Sequence, residues 1–137
     1  MKKINIYLAG GMEGISYDDS CSWRVDIANK LHHWCHVFNP WDHVSDFKEF
    51  AMEDREAMDY DIYQLLHSDI MIMNINNKFS VGTNAEMGIA YTHKIPILSI
   101  HENTTEELHP WQKCMSAKIF KNIDDVVSYI AQHYVDP

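Results

Sequence analysis

The segment DIMIMNINNKFSVGTNAEMGIAYTH, residues 69–93, contains the pattern that decides the architecture of this chain. Residues 69–75 form an apolar run, as expected for a strand that is buried on both faces. Residues 76–81 are predicted to form a loop, and a helix is predicted to begin near Thr83 and to end around His93. A strand that is apolar on both faces is typical of a parallel sheet that is covered by helices on each side.

The same alternation of strands and helices continues on both sides of this segment. The other predicted strands are at residues 4–9, 37–38, 95–100 and 118–120. Helices are predicted at residues 19–35 and 123–134, and another ends near His67 with Met58, Ile62, Leu65 and Leu66 on its core face. Residues 101–115 are expected to be mostly loop, with room for one helical turn. This order predicts a doubly wound, flavodoxin-like (Rossmann-like) α/β sandwich with one five-stranded parallel sheet. No repeat, low-complexity tract or linker is evident, so residues 1–137 are expected to form one domain.

Composition and charge narrow the classes of partner. The chain is 46% hydrophobic and 23% charged, as in globular proteins, and no apolar run approaches the roughly 18 residues that cross a bilayer. The formal charge of −9 argues against binding a long nucleic acid but allows a small anion held by backbone N–H groups. The short apolar start is interpreted as a strand and not as a signal peptide, so we expect a cytoplasmic protein.

The cysteines and histidines give no sign of a disulfide or a metal site. Cys21, Cys35 and Cys114 are odd in number and widely spaced, which predicts free thiols. His32 and His36 have the i, i+4 spacing of a metal pair, but no third ligand is evident. We therefore expect neither a metal nor a cofactor.

Ligands of doubly wound folds bind beyond the carboxyl ends of the strands, where Glu86 is the first candidate. One interpretation of the run from Gly82 to Glu86 is a capping box, with Thr83 as N-cap and Glu86 at N3. The other places the same carboxylate in the first helical turn, facing a pocket, where the helix dipole would favour the ionised form that a nucleophile requires. The motif alone favours the cap.

Asp61 and a glycine turn are further candidates. Asp61 shares the predicted buried stripe of its helix with Met58, Ile62 and Leu65, and a buried acid there is explained equally well by function and by a structural hydrogen bond. The turn that contains Gly10, Gly11 and Met12 follows the first strand, where glycines would let backbone N–H groups approach an anion. A tight turn without function explains the same pattern.

Taken in order, four segments resemble the nucleoside 2-deoxyribosyltransferase family and the related deoxynucleoside 5′-monophosphate N-hydrolases. These segments are YLAGGMEG at residues 7–14, FNP at residues 38–40, the pair Asp61 and Asp69, and SVGTNAEMGIA at residues 80–90. A weaker match, Cys114-Met115-Ser116, lies where the family contributes residues to the site of a neighbouring subunit. The resemblance therefore implies a homodimer or a higher homo-oligomer, with Met115 and Ser116 near a partner's substrate.

The resemblance also implies catalytic roles. Glu86 would attack C1′ and hold the sugar as a covalent glycosyl-enzyme, Tyr7 would orient it, and Asp61 would donate a proton to the departing base. This chemistry suits the residues, because one carboxylate can trap an oxocarbenium-like state while an acid assists the leaving group. With these roles, the capping box is no longer the preferred interpretation of Glu86.

Two departures from the family pattern bear on the substrate. Gly11 replaces the usual proline of a Gly-Pro-Met turn, and Ser80 stands six residues before Glu86, where the transferases have an acid and the monophosphate hydrolases a serine. A hydroxyl can donate to a phosphate that a carboxylate would repel. Ser80, the Gly82 N–H and the Gly10–Gly11 turn could together cradle a 5′-phosphate, with Arg24 as a helper.

Three functions follow for a small nucleoside or nucleotide ligand. The first is hydrolysis of a 2′-deoxynucleoside 5′-monophosphate to release the base. The second is transfer of the deoxyribosyl group to another base, and the third is binding or sensing without catalysis. Asp42, beside Trp41 and His43 in an aromatic loop, is a candidate for base selection.

Overall fold

Five strands and five helices alternate along the part of the chain that the structure describes. The structure is a computed structural model that describes residues 3–12, 15–43, 53–76, 80–102 and 107–135. The strands are β1 (Ile4–Ala9), β2 (Cys35–Phe38), β3 (Ile70–Asn74), β4 (Ile97–Ile100) and β5 (Lys118–Phe120). The helices are α1 (Tyr17–Leu31), α2 (Asp54–Leu66), α3 (Val81–Thr92), α4 (Pro110–Met115) and α5 (Ile123–Ile130); a 3₁₀ turn (Pro40–His43) follows β2 and a π-helical turn (Ala131–Val135) follows α5.

The strands form one sheet with the order β2-β1-β3-β4-β5, and every neighbouring pair is parallel. This is the flavodoxin-like strand order, so the predicted fold class is confirmed. The order reverses direction between β1 and β3, and Tyr7 of β1 is level with Phe38 of β2 and Met71 of β3. The switch point at which such folds bind ligands therefore lies at the ends of β1 and β3.

Two apolar cores cover the faces of the sheet, because successive side chains of a strand point to opposite faces. Ile6 and Leu8 of β1 pack in a core that also contains Ile27 of α1 and Ile130 of α5. Tyr7 belongs to the core of the opposite face, which contains Leu65 of α2 and Met87 of α3. A side chain on β1 thus faces either α1 or α3, and Tyr7 faces α3.

Helix α1 begins and ends earlier than predicted. It begins at Tyr17, where the Ser16 hydroxyl accepts a hydrogen bond from the Asp19 N–H at 3.1 Å, and it ends at Leu31 instead of residue 35. It cannot continue, because Cys35 already pairs with Ile4 in the sheet. The i, i+4 spacing of His32 and His36 does not place them on one helical face, since residues 32–34 form a turn and His36 lies in β2.

Helix α2 does not have the predicted core face. Leu65 is fully buried, but Met58 is 53% exposed and Leu66 is 40% exposed. A short helix, α4, also occupies residues 110–115, where mostly loop was predicted. Both differences lie on the face of the sheet that carries α2, α3 and α4.

The thiols are free, as predicted: Cys21 and Cys35 are buried, and Cys114 is exposed. Within the described residues, no group of three or more His, Cys, Asp or Glu side chains is placed to hold a metal ion. No helix of that same part of the chain is long and apolar enough to cross a membrane.

Candidate active site

Tyr7 and Glu86 form the centre of the site. Tyr7 is 1% exposed and stacks on Phe38, with the ring centroids 5.4 Å apart and the planes at 16°. Its hydroxyl donates a hydrogen bond to Oε2 of Glu86, which reaches it from α3. The two side chains are 79 residues apart in the sequence, and the parallel pairing of β1 with β3 brings them together.

Glu86 does not serve as a helix cap. The N-cap of α3 is Ser80, whose hydroxyl accepts a hydrogen bond from the Thr83 N–H at 3.4 Å and donates to Oγ1 of Thr83 at 2.9 Å. Thr83 therefore lies inside the helix, and the predicted capping box is wrong. Glu86 lies in the second turn, so the expectation that it occupies the first turn, where the dipole acts most strongly, is also wrong.

Burial dominates the electrostatics of Glu86. Loss of hydration raises the pKa of its carboxyl from 4.5 to about 7. The hydrogen bond from Tyr7 lowers this pKa, the charge of Asp61 raises it, and the charge of Arg24 lowers it. Instead of being held ionised by the helix dipole, Glu86 exchanges its proton near neutral pH, and its carboxylate is a poorly hydrated and therefore reactive group.

Tyr7 is a neutral donor at every physiological pH. Burial raises the pKa of its hydroxyl far above the usual value of 10.0, and the nearby charges of Glu86 and Asp61 raise it further. The Tyr7 proton therefore stays on its oxygen, where it is available to donate to the Glu86 carboxylate.

Asp61 approaches this pair from α2. It is partly buried, and its charge acts on both Tyr7 and Glu86. Leu65, four residues later, is fully buried as predicted, but Met58 is 53% exposed, so the predicted buried stripe is wrong at Met58. The structure nevertheless brings Asp61 within electrostatic reach of the two residues with which the resemblance groups it.

The Gly10–Gly11 turn borders the site at the end of β1. The Gly10 carbonyl accepts a hydrogen bond from Nη2 of Arg24 at 2.8 Å, and the Gly11 carbonyl accepts one from the Ser20 hydroxyl at 2.8 Å. A Cβ at Gly10 would lie 2.7 Å from Cζ2 of Trp23, closer than real contacts allow. Only glycine fits there without displacing the Trp23 ring. Residues 13 and 14 of the predicted motif lie outside the described residues.

Arg24 lies beneath this turn and is 0% exposed. Its Nη1 donates to the Ser20 hydroxyl at 3.0 Å and to the Ser20 carbonyl, and its guanidinium lies 4.7 Å from the centroid of the Trp23 ring. Burial lowers the pKa of Arg24 to about 10, so the side chain remains charged at neutral pH. The structure therefore places Arg24 behind the turn and not on its open side.

Ser20 is a residue that the sequence analysis missed. Its hydroxyl donates to the Gly11 carbonyl and accepts hydrogen bonds from Arg24 and, at 2.8 Å, from Nε1 of Trp41. It therefore joins the loops that follow β1 and β2. A sequence signal existed, because Ser20 and Arg24 interrupt the apolar stripe of α1 that contains Trp23 and Ile27.

The remaining candidates lie around this centre or apart from it. Met12 follows the glycine turn and is partly buried, Ser80 is partly buried at the start of α3, and Gly82 is exposed with open space around its Cα. Asp42 is exposed on the 3₁₀ turn after β2, and the side chain of His43 lies outside the described part of the structure.

Met115 and Ser116 lie at the end of α4. The Ser116 hydroxyl is 2.7 Å from the Ser99 hydroxyl and donates to the Gln112 carbonyl at 2.7 Å, so it is engaged within its own chain. Met115 lines a groove of about 600 Å³ between α3 and α4, together with Met87 and other side chains. Gln112 also lines the groove and donates to Oδ1 of Asn84, two residues before Glu86, at 2.9 Å.

Comparisons with known proteins place this geometry in a family. The family model described as nucleoside 2-deoxyribosyltransferase matches residues 6–124. No curated protein sequence matches the chain significantly.

Solved structures share the fold across nearly the whole chain. A conserved protein from Enterococcus faecalis V583 is similar with a TM-score of 0.78 and 14% identity, covering 96% of this chain and 99% of that one. A 2-deoxyribosyltransferase from Bacillus psychrosaccharolyticus has a TM-score of 0.74 and 20% identity, with coverage of 97% and 98%. A CMP N-glycosidase from Clostridium botulinum has a TM-score of 0.65 and 15% identity, with coverage of 94% and 98%.

Proposed function

The chain belongs to the nucleoside 2-deoxyribosyltransferase family, and we propose that it hydrolyses the N-glycosidic bond of a 2′-deoxynucleoside 5′-monophosphate. The observation that carries this proposal is the hydrogen bond from Tyr7 to a partly buried Glu86 beside Asp61. Two carboxyl groups and a fixed donor are the groups that glycosidic cleavage through a covalent intermediate requires.

In the first step Glu86 acts as the nucleophile. Tyr7 holds Oε2, so Oε1 is the oxygen that attacks C1′. Because the charges of Glu86 and Asp61 repel each other, the pair readily holds one proton, and the reactive form is the one in which that proton lies on Asp61 and Glu86 is ionised. The C1′–O bond forms as the C1′–N bond breaks, and Asp61 gives this proton to the departing base. The product is a glycosyl ester of Glu86 and a free, neutral base.

In the second step a water molecule displaces Glu86 from C1′. Asp61, now a carboxylate, takes a proton from a water molecule as its oxygen attacks C1′, and the ester bond to Glu86 breaks. Glu86 leaves as a carboxylate that the Tyr7 hydroxyl stabilises. Both carboxyl groups return to their starting protonation states, and neither a metal nor a cofactor is required.

The preference for a nucleotide is supported by the start of α3. Ser80 places an uncharged hydroxyl, which caps α3 through Thr83, where an acid would repel a phosphate. Gly82 has no side chain to obstruct an anion that binds the backbone N–H groups at the helix N-terminus. Glu86 follows Gly82 by four residues, which is about 6 Å along the helix axis. That separation suits a sugar whose 5′-phosphate lies at the helix start while C1′ faces Glu86.

The other substrate contacts that we propose come from the glycine turn, the turn after β2 and a second copy of the chain. The N–H groups of the Gly10–Gly11 turn and Met12 face the sugar phosphate, and Asp42 lies on the side of the base. A second copy of the chain supplies Met115 and Ser116 to its neighbour's site, so the active form is a homo-oligomer.

A product screen tests the proposal. Purified protein is incubated with each deoxynucleotide, ribonucleotide and deoxynucleoside, with and without an acceptor base, and the products are separated by chromatography. We expect free base from a deoxynucleotide without acceptor, and a mass increase of one sugar phosphate on the denatured protein, which Glu86→Ala abolishes.

Two other outcomes would replace the proposal. A new nucleoside that forms only with an acceptor base would identify a transferase. A thermal shift with a ligand that stays intact after long incubation would identify a binding or sensing module.

A further inference from the structure

The positive charge of Arg24 lies in the interior of the fold, where a charge is unfavourable. The side chain is 0% exposed, and within the described residues it forms no salt bridge to a carboxylate. Its Nε also has no hydrogen-bond partner there. A buried charge costs free energy unless hydrogen bonds or an opposite charge compensate it. The hydrogen bonds that Arg24 forms therefore indicate what the residue does in the fold.

Those bonds converge on the glycine turn. Nη2 donates to the Gly10 carbonyl at 2.8 Å, and Nη1 donates to the Ser20 hydroxyl at 3.0 Å. The same Ser20 hydroxyl donates to the Gly11 carbonyl at 2.8 Å. Arg24 therefore holds one carbonyl of the turn directly and orients the hydroxyl that holds the next.

Fixing a carbonyl also fixes an N–H group. A trans peptide is planar, and its N–H points opposite to its C=O; no peptide bond of the described residues is cis. Because the carbonyls of Gly10 and Gly11 point to α1, the N–H groups of Gly11 and Met12 point away from it. Gly11 lacks the rigid ring of a proline, so side chains must supply the order that the backbone does not.

We propose that Arg24 is a positioning residue, which acts through Gly10 and Ser20 to aim the N–H groups of Gly11 and Met12 at the bound substrate. This proposal rests on the proposed function, in which those N–H groups hold the sugar phosphate. Arg24 does not itself contact the substrate, because its side chain has no exposed surface. Its charge also lowers the pKa of Glu86 from the opposite face of the sheet.

Steady-state kinetics of three variants test this role. Arg24→Met is expected to raise the KM for the nucleotide about tenfold or more, the effect of one lost bond to a charged group. Arg24→Lys should recover less than half of this effect, because an ammonium is a single point charge and lacks the guanidinium fork. Ser20→Ala keeps the cation but releases the Gly11 carbonyl, and it is expected to raise the same KM several-fold. Arg55→Met is the matched control, since Arg55 is 86% exposed and lies 3.8 Å from Asp59.

The variants separate positioning from charge alone. Full recovery in Arg24→Lys together with an unchanged KM in Ser20→Ala would overturn the proposal, because Arg24 would then act only as a cation. If Arg24→Met does not fold, Ser20→Ala decides: a raised KM supports the proposal, and a KM equal to that of the parent overturns it.

A second measurement does not depend on turnover. If the parent protein cleaves no nucleotide or nucleoside, the proposed function fails, and the amide resonances of Gly11 and Met12 are compared by ¹⁵N–¹H NMR. We expect Arg24→Met and Ser20→Ala to shift or broaden both resonances and Arg55→Met to leave them unchanged. Unchanged resonances in the first two variants would overturn the positioning role by itself.

Discussion

Glu86 is held where its neutral form is favoured, although the proposed chemistry needs the carboxylate. Its pKa of about 7 in the fold exceeds the value of 4.5 for an accessible glutamate, chiefly because of burial. A group with a raised folded-state pKa contributes stability below the unfolded-state pKa, and that contribution is lost as the pH rises through the folded-state value. Glu86 therefore lowers the free energy of unfolding at alkaline pH, where its carboxyl has to ionise inside the fold.

Replacing Glu86 by glutamine should abolish turnover and stabilise the fold. Near pH 8, Glu86→Gln is expected to raise the free energy of unfolding by up to about 3 kcal/mol, because no buried charge has to form. Near pH 4.5 the gain should disappear, since the parent carboxyl is then neutral. Urea denaturation at both pH values measures this, with the exposed Glu102→Gln as control. A gain that does not change with pH would contradict the raised pKa.

Removing the Tyr7 hydroxyl should shift the acid limb of the pH–rate profile. The hydrogen bond from Tyr7 lowers the pKa of Glu86, so Tyr7→Phe raises this pKa and moves the acid limb to higher pH. The maximal kcat should fall about 10- to 100-fold, as expected for one lost hydrogen bond to a charged group. The stacking on Phe38 is retained in the variant, which limits structural change. An acid limb that stays in place would show that Tyr7 does not act on Glu86.

Asp61→Asn should shift the same limb in the opposite direction. The charge of Asp61 raises the pKa of Glu86, so its removal lowers this pKa and moves the acid limb to lower pH. The maximal kcat should nevertheless fall about 10²- to 10⁴-fold, because the departing base loses its proton donor. Asp59→Asn on the same helix is the control, since Asp59 is 61% exposed and lies near Arg55. Full activity of Asp61→Asn would remove Asp61 from the mechanism.

At the scale of the elements, Gly10 in a turn and Gly88 in a helix differ in whether they can be replaced by a residue with a side chain. A Cβ at Gly10 would lie 2.7 Å from the Trp23 ring, whereas a Cβ at Gly88 in α3 would meet nothing within 4 Å. Gly10→Ala is expected to destabilise the fold by about 1–3 kcal/mol, as overpacking does, and to reduce activity. Gly88→Ala should stabilise it by about 1 kcal/mol, because glycine is a poor helix former. Thermal unfolding of both variants measures the difference, and equal effects would contradict the close packing at Gly10.

The sequence predicted strands better than helix ends. Strands β1 and β3 are continuous apolar runs in a sheet covered on both faces, so their positions are legible from composition alone. The start of α3 is ambiguous, because serine and threonine stand three residues apart and either can cap. In the structure Ser80 is the N-cap, so Glu86 lies in the second turn of α3 and not in the first.

The sequence predicted the central residues of the candidate site but not the residues that support them. Glu86 and Tyr7 were recognisable from ordered motifs, but the contact between them depends on the neighbouring positions of β1 and β3. Ser20 was missed because its place on the apolar stripe of α1 indicates a buried hydroxyl but does not identify the groups that this hydroxyl binds. The α2 face was mispredicted, since Met58 and Leu66 have helical spacing with Leu65 yet remain exposed.

At the scale of the whole molecule, the strand order explains why the site has two halves. From the switch point the chain leaves β1 for α1 on one face, and it leaves β3 for α3 on the other. The Gly10–Gly11 turn is therefore held from the side of α1, and the carboxylate of Glu86 comes from the side of α3. In the proposed function, a substrate between the two halves would meet backbone donors from one face and the carboxylate of Glu86 from the other.

The helices beside the groove that Met115 lines carry exposed apolar side chains. Val81 is 84% exposed, Trp111 is 71% exposed and Tyr91 is 55% exposed, and these side chains belong to α3 and α4, which flank the groove that Met115 lines. Exposed apolar surface beside a groove is typical of interaction sites in soluble proteins. Since the proposed function places Met115 and Ser116 in a neighbour's site, this surface is where a second copy would bind.

Trp111→Glu should therefore separate the copies and reduce activity together. Light scattering is expected to give at least twice the chain mass of 16.0 kDa for the parent and the chain mass itself for the variant. A buried charge opposes association, and loss of the neighbour's Met115 and Ser116 lowers kcat/KM as the oligomer dissociates. Val25→Glu on α1 is the control, because Val25 is 44% exposed on the opposite face of the sheet and should affect neither mass nor rate. A parent that is monomeric and fully active would confine the whole catalytic site to one chain, and Met115 and Ser116 would then serve only the packing of α4 against β4.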